Sequence, residues 1–364
     1  MSVERPAGRP GRGNSLLMSA LRFAGYDLDC RATAPTAETN PSHSGAASAD
    51  RRYMHTLPPD VEPTRALLQQ YSGIPAEDVD RHVYQMRDRL WDLYPYACVG
   101  RFRFASLEFA SDAYYQLALF RLLQAQSQPS TSADPADSSS SPSSTPPEEE
   151  EDNDDTRLLD VGCCVGQVLR KLAFDGVDSA RLYGTDIEPR FLELGYDLFR
   201  DRDTFKGRFV VGDVLRPDHD DRNQNGEGGQ DEGEGVGAAD ADGLSALDGT
   251  MTFVHATSFF HLFTWADQVR AASRIVRLLH PGRADAMVFG RQVGTLRPRE
   301  RAGKAGSDKV YLHDAASWQA LWDEVGARTA TRWRTTMEPT DKIQTGAPGV
   351  DTALRKMTFS VLRA

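Results

Sequence analysis

Five residues in the stretch LLDVGCCVGQ could do chemistry: Asp160, Gly162, Cys163, Cys164 and Gly166. Two adjacent thiols suggest a metal or a nucleophile, yet neither reading gathers support. Zinc takes about four ligands at compatible spacing, and no C-x-x-C or histidine cluster accompanies this pair. A nucleophilic thiol needs a base nearby, and no such partner is evident. The glycines carry more. A strand, a tight glycine turn and a helix present backbone N–H groups to an anionic or polar ligand. A dinucleotide loop needs glycine at 162, 164 and 167, where this chain has Gly, Cys and Gln. A phosphate loop needs Gly-Lys-Ser/Thr, which is absent. The spacing Asp-x-Gly-x-Gly-x-Gly falls on Asp160, Gly162, Cys164 and Gly166 and matches at three of four positions.

These residues need a scaffold, and the hydrophobic pattern supplies one. Apolar runs predict strands over 157–161, 181–186, 208–211, 251–256 and 286–289, with two late strands over 331–337 and 356–362. Helical spacing alternates with them over 167–174, 189–200, 265–279 and 317–325. Strands alternating with helices mean a parallel sheet covered on both faces. Each strand then ends on a candidate: Asp160, Asp186, Asp213 with Val214, and Thr257, while Arg291 and Gln292 follow the fifth. Open α/β sheets bind ligands at those carboxyl ends. His261, one turn past the fourth strand, is placed to act as a base or to pack beneath a covering segment; His255, inside the strand, reads as core. Upstream, three helical stretches open at Pro63, Pro75 and Asp112. Between them Tyr94, Tyr96, Phe102 and Phe104 could line an apolar pocket or a core, and Arg101 and Arg103 could pair with a carboxylate or with water.

The loop resembles motif I of the class I S-adenosylmethionine (SAM) dependent methyltransferases. That resemblance implies a Rossmann-like α/β sheet, mostly parallel with its last strand antiparallel, behind an N-terminal helical lid. It also implies roles: Asp160 toward the methionine ammonium of SAM, Gly162 and Gly166 shaping the turn, and Asp186 holding the ribose hydroxyls. Asp213 and Val214 would meet the adenine, and Thr257 would lie beside the transferred methyl. The segments DVGCCVGQVLRKLAFDG, LYGTDIEPRFLELGYDLFRDRD, SFFHLF, FGRQVG and YPYACVGRFRF look like a fungal family of natural-product methyltransferases of meroterpenoid and polyketide pathways. Several members form methyl esters, so a small-molecule carboxylic acid is the first expected acceptor and a phenol the second. His261 would serve the phenol as base, and Tyr94, Arg101 and Arg291 are the substrate-binding candidates. Two rivals stay open: a nicotinamide oxidoreductase, disfavoured by Cys164 and Gln167, and a non-catalytic SAM-binding protein.

Composition narrows the setting. The net charge of −11 misleads, because segments 126–155 and 217–249 hold 19 of the 53 acids and one of the 42 Lys and Arg. The remainder is near +7 without a dense basic stripe, so no nucleic-acid partner is expected. Four cysteines are too few for a secreted disulfide scaffold. No apolar run approaches a membrane span, and the N-terminus lacks the continuous apolar core of a signal peptide. The expectation is a cytoplasmic enzyme without a structural metal or membrane contact, with a homodimer allowed. Its parts are a disordered arm (1–55), a helical lid (56–125), an acidic low-complexity linker (126–155) and a SAM-binding domain (156–364) interrupted by an acidic disordered insertion (217–249).

Overall fold

The computed structural model describes residues 52–127, 155–216, 243–302, 309–342 and 353–364. The arm, the linker and the acidic insertion, expected to be disordered, lie outside the described residues except at their ends. Among the described residues no helix is long and apolar enough to cross a membrane.

Seven strands form one sheet in the order β3-β2-β1-β4-β5-β9-β8. These are β1 (Leu158–Val161), β2 (Leu182–Asp186), β3 (Arg208–Val211), β4 (Phe253–His255), β5 (Met287–Thr295), β8 (Trp333–Lys342) and β9 (Leu354–Arg363). The first five are parallel; β9 runs antiparallel to both β5 and β8. The expected sheet, with one antiparallel strand near its end, is therefore present. The order turns back at β1, which pairs with β2 on one side and β4 on the other. That reversal opens a crevice above the carboxyl ends of β1 and β4.

Two apolar layers flank the sheet. On one face pack α1 (Glu62–Gln70), α2 (Ala76–Leu93), the single turn α3 (Ala97–Gly100), α4 (Ala113–Ser127), α5 (Gln167–Phe174) and α6 (Pro189–Phe199). Leu67, Val83, Leu90, Phe104 and Leu122 from the N-terminal helices share one core with Leu169 and Phe199. The opposite face holds α7 (Trp265–Leu278) and α8 (Ala315–Thr329), whose Ile275, Trp318 and Trp322 pack on Val254, Val288 and Phe359. Pro63 falls in the first turn of α1 and Pro75 stands immediately before α2, where a missing N–H costs nothing. Asp314 caps α8 and Ser317 returns the bond, so that helix starts earlier than its apolar spacing predicts.

Two details differ from the sequence pattern. The fifth strand does not stop at Phe289 but runs six residues further, because β9 pairs with it from Met287 to Thr295. Arg291 and Gln292 thus lie within β5, on opposite faces of the sheet. Beyond it a short hairpin, β6 (Arg299–Arg301) with β7 (Val310–Leu312), was not anticipated.

Candidate functional site

The turn after β1 explains its own spelling. Gly162, Cys164 and Gly166 all take left-handed backbone angles, with φ of 67°, 51° and 66°. An L side chain in that region costs about 1–2 kcal/mol, which is why glycine is the usual occupant at each step of this spacing. Cys164 tolerates the cost. Replacing it with glycine relieves that cost and adds about 0.5–1 kcal/mol of chain flexibility to offset. Cys164→Gly is therefore expected to leave stability unchanged or raise it by up to about 1 kcal/mol, read by urea unfolding. A clear loss would give the thiol a role that its position does not suggest. Burial pushes both thiols well above the ordinary thiol range, and Asp160 and Asp186 add to the shift, so neither is a thiolate. Cys163 points its sulfur at Gly184 of β2, where an added Cβ would meet it at 3.0 Å.

The turn's first N–H groups are not held out to a ligand, as the glycine pattern alone suggested. Gly162 and Cys163 donate to the Thr185 carbonyl at 2.9 and 3.0 Å, which ties the loop to β2. Cys164 donates to Asp186 Oδ2 at 2.8 Å, and Glu188 donates to Oδ1 at 3.0 Å. Asp186 is thus the peg of the loop. Burial still lifts its carboxyl to about 6 despite these backbone donors. Ile187 is a third backbone donor to it; a carboxylate accepts about four hydrogen bonds, so capacity for a ligand remains.

Asp160 sits directly across the β1–β4 register from His255. Its Oδ1 accepts His255 Nδ1–H at 2.7 Å, which leaves Nε2 to accept the Thr257 hydroxyl at 2.8 Å. Thr257 Oγ1 in turn accepts the Arg291 N–H at 3.1 Å. The ends of β1 and β4 and the middle of β5 are therefore laced by one chain of hydrogen bonds. His255 is buried, as its mid-strand position suggested, but it is also the link between two candidate ligand groups. Phe109, from the segment before α4, lies against its ring at 6.1 Å. The segment before α4 thus packs onto the end of β4.

The remaining candidates separate. Asp213 spends Oδ1 on the Leu215 N–H at 2.9 Å, the bond of a tight turn, beside buried Val214. His261 is buried on the turn after β4; its Nδ1 has no partner among the described residues, and burial, with Arg301 nearby, lowers its pKa to about 4. Gln292 is 3% exposed with neither amide atom hydrogen-bonded among the described residues. Tyr94 stacks on Tyr96 at 5.4 Å and packs against Phe191. Arg101 is exposed, at the end of α3. Arg291 is not free: both oxygens of Asp112 grip its guanidinium, and Glu108 lies 3.5 Å from it. Neither acid was foreseen, since Asp112 and Arg291 are 179 residues apart and no local pattern joins them.

Comparison with known proteins places this geometry. Residues 52–105 match a family model described as a meroterpenoid methyltransferase N-terminal domain, and residues 159–284 match a methyltransferase domain. An O-methyltransferase, phiE, of a fungal species is 35% identical over 80% of this chain and 81% of its own length. Another, atr3 of Stereocaulon alpinum, is 34% identical over 78% of this chain and 67% of its own. The asnovolin E/chermesin D methyltransferase nvfJ of Aspergillus novofumigatus is 31% identical over 74% and 78%. Among solved structures, a Haemonchus contortus phosphoethanolamine N-methyltransferase 2 in complex with SAM aligns at 14% identity and a TM-score of 0.40, covering 76% of this chain and 60% of that one.

Proposed function

Because the chain belongs to the SAM-dependent methyltransferases of fungal secondary metabolism, we propose that it transfers the methyl group to an oxygen of a small molecule, and that this oxygen is a carboxylate. The residues fit the cofactor. Asp186 is a half-buried carboxylate with unfilled acceptor capacity, lifted to about 6 by desolvation at the end of β2. Its neighbour is a turn with three left-handed positions. In this reading Asp186 takes the ribose hydroxyls, Asp160 faces the methionine ammonium across Gly162 and Gly166, and Asp213 and Val214 border the adenine. Thr257 lies beside the reacting groups. SAM supplies an electrophilic methyl on a sulfonium.

The chain's own work is then alignment and exclusion of water. The Asp160–His255–Thr257–Arg291 chain fixes the carboxyl ends of β1 and β4 relative to each other and to β5. Tyr94 and its stacked neighbour Tyr96 form a wall near Asp186, and the backbone of Arg291 bonds the Thr257 hydroxyl. Arg101, being exposed, is the weaker substrate candidate.

The observation that carries carboxylate over phenol is the state of the two histidines. A carboxylate arrives ionised and needs no base, whereas a phenol has a pKa of about 10. His255 has both nitrogens engaged. His261, the expected base, is held near 4 by burial. Moving a phenol proton onto it runs about 8 kcal/mol uphill. The test is methyl transfer from labelled SAM onto a panel of apolar acids, each paired with the phenol of the same skeleton. Acids are expected to turn over and phenols not, and His261→Ala is expected to stay within about three-fold of wild type on acids. Turnover on phenols that His261→Ala abolishes at every pH would replace this reading with the phenolic one.

A further inference from the structure

Arg291 is the cation that the carboxylate reading needs, and it is already occupied. Asp112 holds its Nε and one terminal nitrogen with both carboxylate oxygens, the two-pronged geometry by which arginine recognises a carboxylate. Both side chains are nearly buried, at 10% and 11% exposure. Around them Glu108 contacts Arg291, Lys356 and Arg103. Among the described residues these ion pairs join three cations to two acids.

Asp112 has a second place to go. It is the residue before the first turn of α4, where an aspartate usually accepts the second or third helical N–H. Here both oxygens are turned to Arg291, and among the described residues neither accepts an N–H of the helix. Released from the guanidinium, it would find the N–H groups of Tyr114 and Tyr115 waiting at its own helix. The carboxylate therefore has two alternative sets of donors, one across the crevice and one local.

We propose that Asp112 is a built-in stand-in for the acceptor's carboxylate: it neutralises Arg291 in the free enzyme, and an incoming acid displaces it onto the N-terminus of α4. Neutral skeletons make the exchange poorly, because only Glu108, which Lys356 and Arg103 share, would then face the guanidinium. Asp112 thereby sets acceptor selectivity, and the exchange couples acid binding to the segment whose Phe109 covers His255. This rests on the carboxylate reading above.

The test uses benzoate as the acid probe and benzamide as its neutral isostere, titrated calorimetrically into the full chain saturated with S-adenosylhomocysteine. Asp112→Asn and Asp112→Ala remove the competing charge and are expected to tighten benzoate binding about ten-fold or more, because an intramolecular competitor at high effective concentration is gone. Benzamide is expected not to gain. The Asp112→Asn/Arg291→Gln double variant, neutral and so free of an orphaned charge, is expected to fold and to lose the gain. Unchanged or weaker benzoate binding in both single variants overturns the proposal and leaves Asp112 as a clamp. Equal gains for benzoate and benzamide overturn it too, since they report a loosened crevice. The two readings fail separately. Acids methylated without a benzoate gain remove the stand-in alone, while a benzoate gain without acid turnover removes the acceptor assignment alone.

Discussion

Asp186→Ala is expected to weaken SAM binding roughly a hundred-fold or more, the loss of two charge-assisted hydrogen bonds at about 1.5–3 kcal/mol each. The alanine variant also releases the Cys164, Ile187 and Glu188 N–H groups that Asp186 now receives, so part of its effect comes from the loop itself. The pH dependence separates the two. Burial has raised this carboxyl from 3.8 to about 6, so protonation favours the ligand-free folded protein. Between about pH 6 and 4 the ligand-free protein gains stability as pH falls, because its folded form binds this proton more tightly than the unfolded chain does. SAM affinity moves the other way. The ionised form is the acceptor, and affinity drops toward ten-fold per pH unit below about 6. Asp186→Asn keeps acceptor geometry on one side and removes the titration, so its SAM affinity is expected to be low and flat across this range. Calorimetric titrations from pH 5 to 8 decide it. A wild-type affinity that is flat through pH 6, or an alanine variant that binds as wild type does, would remove Asp186 from the cofactor site.

What the sequence could show of this site follows from how far apart its parts are. Spacing within one turn is local, so Asp160, Gly162, Cys164 and Gly166 declared the loop, and their left-handed angles account for that spacing. Strand ends are semi-local, so Asp186, Asp213 and Thr257 were placed by the apolar runs before them. The reach of β5 was hidden because Gly290 and Gly294 break its pattern. Gly290 is required there, since a Cβ would come within 2.8 Å of the Ala256 carbonyl. His255 was recognisable as buried, but its partner is set by register across 95 residues, which periodicity does not report. Asp112 on Arg291 is the same failure at longer range. Strands of three residues, as in β6 and β7, are too short to separate from a charged loop.

The largest expected loss of stability comes from a residue with no chemical role. Asp201→Ala should cost about 3–5 kcal/mol. Arg170 of α5 is fully buried, its guanidinium among the rings of Tyr196, Phe199, Phe205 and Phe209. Its compensation is Asp201, bound through two nitrogens at 2.9 and 3.1 Å, and Asp201 also accepts the Tyr71 hydroxyl at 2.9 Å. Removing the acid leaves a charged guanidinium in an aromatic cage without its counterion, while removing both charges does not. The Arg170→Met/Asp201→Ala variant is therefore expected to be more stable than Asp201→Ala alone, as is usual when a buried pair is replaced by packing. Chemical unfolding of the three proteins measures this; an Asp201→Ala variant within about 1 kcal/mol of wild type would show that water reaches the guanidinium. The pair also holds the turn, since Arg170 Nη1 donates to the Val165 carbonyl at 3.3 Å and lies 2.5 Å from where a Cβ on Gly166 would be. Through Tyr71 it reaches the end of α1, so this one buried charge joins the N-terminal helices to the glycine turn after β1. Loss of Asp201 should for that reason raise the SAM dissociation constant even at temperatures where the variant stays folded.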